Sequence, residues 1–227
     1  MSLNKMQIHR LVRKINKLAP KMRQMTDEEL QAQTEIFRKK LKAGMKEKDI
    51  LPEAFATVRE ADYRVLGMFP YEVQVIGALI LNEGAIAEMR TGEGKTLTAT
   101  MPLYLNALSG KGAMLVTPND YLAARDEENL APVYKWLGLT VSKGFDEKLS
   151  REGKKAAPAV KRKWYASDIV YTTASSLAFD YLFDNLATSK EGQYLRPYNY
   201  VIVDEVDEVL LDEAESPFVI SSRPKLQ

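Results

Sequence analysis

The octet Met89-Arg90-Thr91-Gly92-Glu93-Gly94-Lys95-Thr96 constrains this chain more than any other feature. It follows the apolar run Ala85-Ile86-Ala87 and opens a helix-patterned stretch at 95–108, so strand, glycine turn and helix come in the order that a phosphate-binding loop requires. Glycines let backbone N–H groups converge on phosphate oxygens, and the start of the helix adds a favourable dipole. In such a loop Lys95 neutralises the β- and γ-phosphates and the Thr96 hydroxyl binds Mg²⁺. The common G-x-x-x-x-G-K-[ST] spacing would need Gly at 89, where Met stands; the pattern here is the T-G-x-G-K-T variant, Thr91 to Thr96.

A second half of the same chemistry lies far along the chain. Val201-Ile202-Val203-Asp204-Glu205 is an apolar run ending in two adjacent carboxylates, with Glu205 standing 110 residues after Lys95. In a parallel sheet the C-terminal end of that strand opens on the same crevice as the loop. Asp204 can then hold Mg²⁺ while Glu205 orients and deprotonates an attacking water. Gln74, a turn upstream of the loop, has an amide able to pair with N6 and N7 of adenine, and Met68 and Tyr71 can seat the ring. No N-K-x-D for guanine is present, which favours ATP over GTP.

Periodicity predicts the framework. Short β-prone runs at 84–88, 113–117, 139–142, 168–172 and 200–203 alternate with helical stretches at 95–108, 119–137 and 174–187, the signature of an α/β fold with a parallel sheet covered on both faces. Helices are expected ahead of it. Leu3, Met6, Leu11, Val12, Ile15 and Leu18 recur at helical spacing in a helix predicted to end at Pro20. Thr26-Asp27-Glu28-Glu29 has the form of a capping box for a second helix that stops at Gly44. Two more, at 52–66 and 71–81, are split by the turn Gly67 to Pro70. Residues 143–163, with eight basic and three acidic side chains, read as a solvated loop holding one short helix.

Charge and composition narrow the function. Lys+Arg 32 against Asp+Glu 31 leaves a net charge of +1, so no global field argues for nucleic acid, and no nucleic-acid partner is expected. Zero Cys and a single His exclude disulfides, thiolate or multi-histidine metal sites and an ordinary Ser/His/Asp triad. No run reaches the roughly 18 apolar residues that a membrane span needs, and the first residues lack a secretory-signal pattern. The basic face of the first helix (Lys5, Arg10, Arg13, Lys14, Lys17, Lys21, Arg23) suits anionic phospholipid or a partner, the alternative being a helix packed on the protein's own surface.

From Phe55 to Ile220, and more loosely from residue 5, the chain resembles the SecA family, the ATPase motor of bacterial preprotein translocation. The resemblance rests on FATVREADYRVLGMFPYEVQ (55–74), AEMRTGEGKTLTATMPLYLNALSGKG (87–112), VTPNDYLAARD (116–126), FDYLFDNL (179–186) and VDEVDEVLLDEAESPFVIS (203–221). It implies a RecA-like domain in which Gln74 reads adenine, Gly92, Glu93, Gly94, Lys95 and Thr96 hold the phosphates, Arg125 lies near the nucleotide, and Asp204 and Glu205 serve Mg²⁺ and water. It further implies basic and amphipathic helices over 1–50, the first part of the nucleotide-binding domain with an incomplete sheet over 51–220, and at 221–227 the start of a connection to a preprotein-binding domain. ATP and Mg²⁺, a SecY-type channel, preproteins and a homodimer follow as expected ligands and partners, with a cytoplasmic location peripheral to the cell membrane. Pro118, Ala174-Ser175, Glu208-Val209-Leu210 and Glu215-Ser216-Pro217-Phe218 depart from the housekeeping pattern, which leans towards an accessory paralogue of Gram-positive bacteria.

Two rival readings stand beside it. One is a DEAD-type RNA helicase lobe, against which Thr117-Pro118-Asn119-Asp120-Tyr121-Leu122 stands where that type carries Pro-Thr-Arg-Glu-Leu. The other is a non-catalytic, nucleotide-gated binding module.

Overall fold

The computed structural model describes residues 3–90, 93–212 and 217–220. Thr91 and Gly92 of the expected loop, and the expected connection at 221–227, lie outside the described residues.

Local chemistry sets the first helices. α1 (Lys5–Gln24) begins with a reciprocal cap: Asn4 Oδ1 accepts the Gln7 N–H and Gln7 Oε1 accepts the Asn4 N–H, each at 2.9 Å. α2 (Asp27–Lys42) has the expected capping box between Thr26 and Glu29, three acids in its first turn and three lysines in its last, all complementing the helix dipole. The expectation that Pro20 ends α1 is wrong: the helix runs through it to Gln24. Proline removes only one helical donor. Val12, Ile15 and Met22 are buried on either side of it, and Arg64 of α3 (Glu47–Leu66) donates to the carbonyls of Met22 and Met25 at 3.0 and 2.8 Å. Packing along α3 therefore carries the helix past the defect. Pro52 likewise sits inside α3, which starts five residues before its predicted bound of 52.

After α4 (Glu72–Asn82) come α5 (Lys95–Thr98), α6 (Thr100–Ala107), β1 (Ala113–Thr117), α7 (Asp120–Trp136) and β2 (Val141–Lys143). They are followed by α8 (Glu147–Arg151), α9 (Pro158–Tyr165), β3 (Ile169–Thr173), α10 (Ala174–Leu186) and β4 (Tyr200–Val203). The sheet is parallel with order β2-β3-β1-β4, and Leu115 at its centre pairs with Tyr171 and Ile202. Side chains alternate across it. Ala113, Leu115, Ile169 and Tyr171 join the large core that includes α3, α6 and α7, whereas Met114 and Val170 pack with Tyr165 and Tyr194. Both faces are covered, as uninterrupted burial of β1 and β3 demands. Val12, Ile15, Leu30 and Phe37 of α1 and α2 belong to the same core cluster as the sheet.

Two expectations fail. Residues 84–88 form no strand, and Ile86 is 79% exposed. A strand needs a neighbour to satisfy its backbone groups. Among the described residues β4 ends the sheet and pairs only with β1, and it lines a cavity of about 620 Å³ together with Ala85, Ile86 and Ala87. The 143–163 stretch holds two helices rather than one: Asp146 accepts the N–H groups of Lys148 and Leu149 at the start of α8, and Pro158 opens α9.

Candidate functional site

The end of β4 builds one side of the site. The Asp204 N–H donates to Val116 O at 2.8 Å, carrying the ladder one residue past the strand, and Asp204 Oδ1 accepts the Glu205 N–H at 3.0 Å. Glu205 then turns into the left-handed region at φ 47°, the single non-glycine residue to do so among those described. That conformation costs roughly 1–2 kcal/mol for an L-residue. It leaves the carboxylate facing Lys95, whose Nζ lies 3.4 Å from Glu205 Oε1.

Lys95, Thr96, Asp204 and Glu205 line the same 620 Å³ cavity, so the sheet brings the two halves of the motif together. Burial raises the Asp204 carboxyl above its ordinary range. The Glu205 N–H opposes that rise, the carboxylates of Glu205 and Asp126 add to it, and Lys95 opposes it. A cation placed beside Asp204 offsets the charge that burial and its acidic neighbours disfavour. Among the described residues no group of three or more His, Asp or Glu forms a self-sufficient metal cluster. One hydroxyl and one carboxylate fit Mg²⁺, which keeps water and phosphate oxygens among its ligands.

The loop is held from α4. Gln74, buried at its root, accepts the Tyr71 N–H at 2.7 Å through Oε1 and donates from Nε2 to the carbonyls of Glu93 and Gly94 at 3.1 and 3.3 Å. Gly94 has φ 76°, which favours glycine, and a Cβ there would displace the Gln74 amide from its hydrogen bonds. Thr98 adds its hydroxyl to the Gly94 carbonyl at 3.1 Å, and the Glu93 carboxylate accepts the Arg90 N–H at 2.8 Å.

The remaining expected residues are less converged. Met68 and Tyr71 stand 49% and 75% exposed and do not line the cavity. Arg125 also lies outside its lining, with Nε and Nη2 at 3.0 and 2.8 Å from Asp126 Oδ1. Sequence reasoning passed over Asp126 itself, which is 1% exposed, lines the cavity and has its carboxyl raised by burial against the pull of Arg125. The signal was there: Asp126 falls on the face of α7 that also carries Ala123 and Leu130 at helical spacing, where a charge is out of place unless paired or used.

Residues 2–227 match the SecA DEAD-like domain. A protein translocase subunit SecA 2 of Lactobacillus johnsonii is 71% identical over 218 residues, which is 96% of this chain and 28% of that relative. The same-named subunits of Streptococcus sanguinis and Staphylococcus aureus are 56% and 54% identical over 227 and 221 residues, covering 99% and 97% of this chain and 28% and 27% of those proteins. The chain thus spans little more than a quarter of the curated relatives it matches, and their names agree with the lean towards the accessory paralogue. With its parallel sheet, its loop and its paired carboxylates, this chain belongs to the SecA DEAD-like domain family.

Proposed function

We propose that these residues form the ATP-binding part of a SecA-type translocation motor, and that the cavity between α5 and the end of β4 takes Mg²⁺-ATP. The observation that carries this reading is the approach of Lys95 Nζ to Glu205 Oε1 at 3.4 Å across 110 residues of sequence. A lysine on a glycine loop and two carboxylates at a strand end is the donor set of phosphoryl transfer to water. Lys95 holds the β- and γ-phosphates with the backbone of Glu93 to Thr96, and Thr91 and Gly92 belong to the same loop in sequence. Thr96 and Asp204 hold Mg²⁺, which supplies charge neutralisation on the phosphates. Glu205 orients the attacking water and accepts its proton at the carboxylate. Gln74, Met68 and Tyr71 form the adenine side, and Arg125 borders the nucleotide.

In the same reading residues 1–50 are an accessory helical segment, 51–220 are the first part of the nucleotide domain, and 221–227 begin a connection onward. The partners are a SecY-type channel, preproteins and anionic phospholipid, with a second copy in a homodimer, at the cytoplasmic face of the cell membrane. Supporting this, the relatives carry the name of translocase subunits, and all seven basic side chains of α1 are exposed. No helix among the described residues is long and apolar enough to cross a membrane. Isothermal calorimetry with ADP and ATP, with and without Mg²⁺, tests the core of the proposal: Lys95→Ala should abolish both titrations. Unchanged binding in that variant would place the nucleotide elsewhere.

A further inference from the structure

Away from the loop, the residues after β2, together with α9 and α10, enclose a second cavity of about 390 Å³. Phe145, Trp164, Phe179 and Phe183 give it aromatic walls. Three lysines also line it, and they are not equivalent. Lys161 is matched by Asp180, a buried carboxylate that also accepts the hydroxyls of Tyr165 at 2.6 Å and Tyr194 at 3.3 Å. Lys154 pairs with Glu152 at 2.8 Å. Lys155 instead places its Nζ 3.5 Å from the centre of the Phe183 ring and, among the described residues, has no carboxylate within ion-pair reach.

The chain already lays Phe218, Val219 and Ile220 against this cleft. Phe218 meets the Phe179 ring edge-on at 5.3 Å between centroids, and Val219 and Ile220 form part of the wall. All three stay at least 39% exposed, so they border the cavity without filling it. In sequence this apolar run follows Glu215, at the end of the acidic stretch 204–215, whereas the cleft belongs to the 143–163 stretch with its excess of basic side chains.

We propose that this cleft is a docking site for an extended polypeptide segment in which an acidic residue precedes a bulky apolar run. The chain's own Phe218-Val219-Ile220 is the resident apolar run, and a partner segment of the stated character competes with it. Aromatic walls reward an apolar side chain, and the free cation over Phe183 anchors the acid. The site is separate from the nucleotide cavity and does not depend on how that cavity is used.

The test is fluorescence anisotropy of a labelled peptide Glu-Ser-Pro-Phe-Val-Ile titrated with the 227-residue protein. Saturable binding is expected, weakened about fivefold or more by Lys155→Glu and weakened by added salt. Phe218→Ala, which releases the resident ring from Phe179, should tighten it. Circular dichroism and the thermal midpoint of each variant establish that the fold is intact. Equal affinity for a scrambled peptide, equal affinity in Lys155→Glu, or no saturation in either the parent or Phe218→Ala would overturn the proposal.

Discussion

Gln74 and Gly94 are locked together: the amide nitrogen of one donates to the carbonyl of the other at 3.3 Å, in the space that a side chain on Gly94 would fill. The residue proposed to read the base therefore also fixes the backbone of the loop proposed to hold the phosphates.

The first prediction follows from that double duty. Gln74→Ala should weaken ADP about tenfold, from roughly 1–1.5 kcal/mol for the hydrogen bonds lost to the Glu93 and Gly94 carbonyls. GDP should weaken as well, because the tether acts on the loop whatever the base. Calorimetry with both nucleotides decides it. A loss confined to ADP would assign Gln74 to the base alone.

A second prediction concerns Asp62, fully buried on α3. Thr100 Oγ1 lies 2.9 Å from Asp62 Oδ2 and 2.7 Å from Leu97 O, yet its hydroxyl has one proton for two acceptors. A neutral Asp62 resolves the conflict by donating to Thr100, which then donates to Leu97. Burial raises this carboxyl well above its ordinary value of 3.8, against the hydrogen bond from Thr100 and the charge of Arg59. The folded state therefore binds a proton that the unfolded state releases above about 3.8. Asp62 should thus lower stability as pH rises from there towards its folded pKa, by up to about 1.4 kcal/mol per pH unit. Urea midpoints from acid to neutral pH should show this slope in the parent and lose it in Asp62→Asn, whose amide can still donate to Thr100. An unaltered slope in that variant would exclude Asp62 as its source.

How much of this was legible in the sequence depends on whether the signal was local. Caps such as Thr26 with Glu29 and the turn at Gly67 were readable because side chain and backbone lie within a few residues of each other. The motif halves were readable because each is a local signal, Lys95 after a glycine turn at the start of a helix and Glu205 just past an apolar strand. Ala85-Ile86-Ala87 misled because strand propensity says nothing about whether a neighbour exists. Pro20 misled because Arg64, 39 residues beyond Met25, supplies bonds to the carbonyls at the end of α1. Asp126 was missed because its meaning lies in burial beside the cavity, which only the packed sheet creates.

The third prediction concerns α1. Its apolar stripe is buried through Val12, Ile15 and Met22, with Met6 exposed near its start, so charge must supply most of any attraction to a membrane surface, and deleting the helix would uncover the core. Replacing Arg10, Arg13, Lys14 and Lys17, exposed on one face at helical spacing, by Gln is the cleaner change. Flotation with phosphatidylglycerol vesicles should drop sharply at low salt, at roughly 1 kcal/mol per well-placed charge, while thermal stability holds. Undiminished flotation would return these charges to solubility or to a protein partner.

The fourth prediction separates binding from turnover within one site. In two-lobed motors of the resembled kind, part of the transition-state charge is met by an arginine from a second lobe, worth about 10³ to 10⁵ in rate in related nucleotide hydrolases. These 227 residues should therefore bind Mg²⁺-ATP yet hydrolyse it barely above background, and a chain extended to the length of its relatives should be faster. In that longer enzyme Glu205→Gln should keep ATP bound and cut hydrolysis sharply, since the amide holds a water but cannot take its proton. Asp204→Asn should instead remove the Mg²⁺ dependence of nucleotide binding, because the lost charge is the one proposed to hold the metal with Thr96, which lines the same cavity. Single-turnover hydrolysis and Mg²⁺ titrations read the two effects apart. Normal turnover in Glu205→Gln would remove the base assignment, and full Mg²⁺ dependence in Asp204→Asn would move the metal to another carboxylate of the cavity, with Asp126 next to be tested.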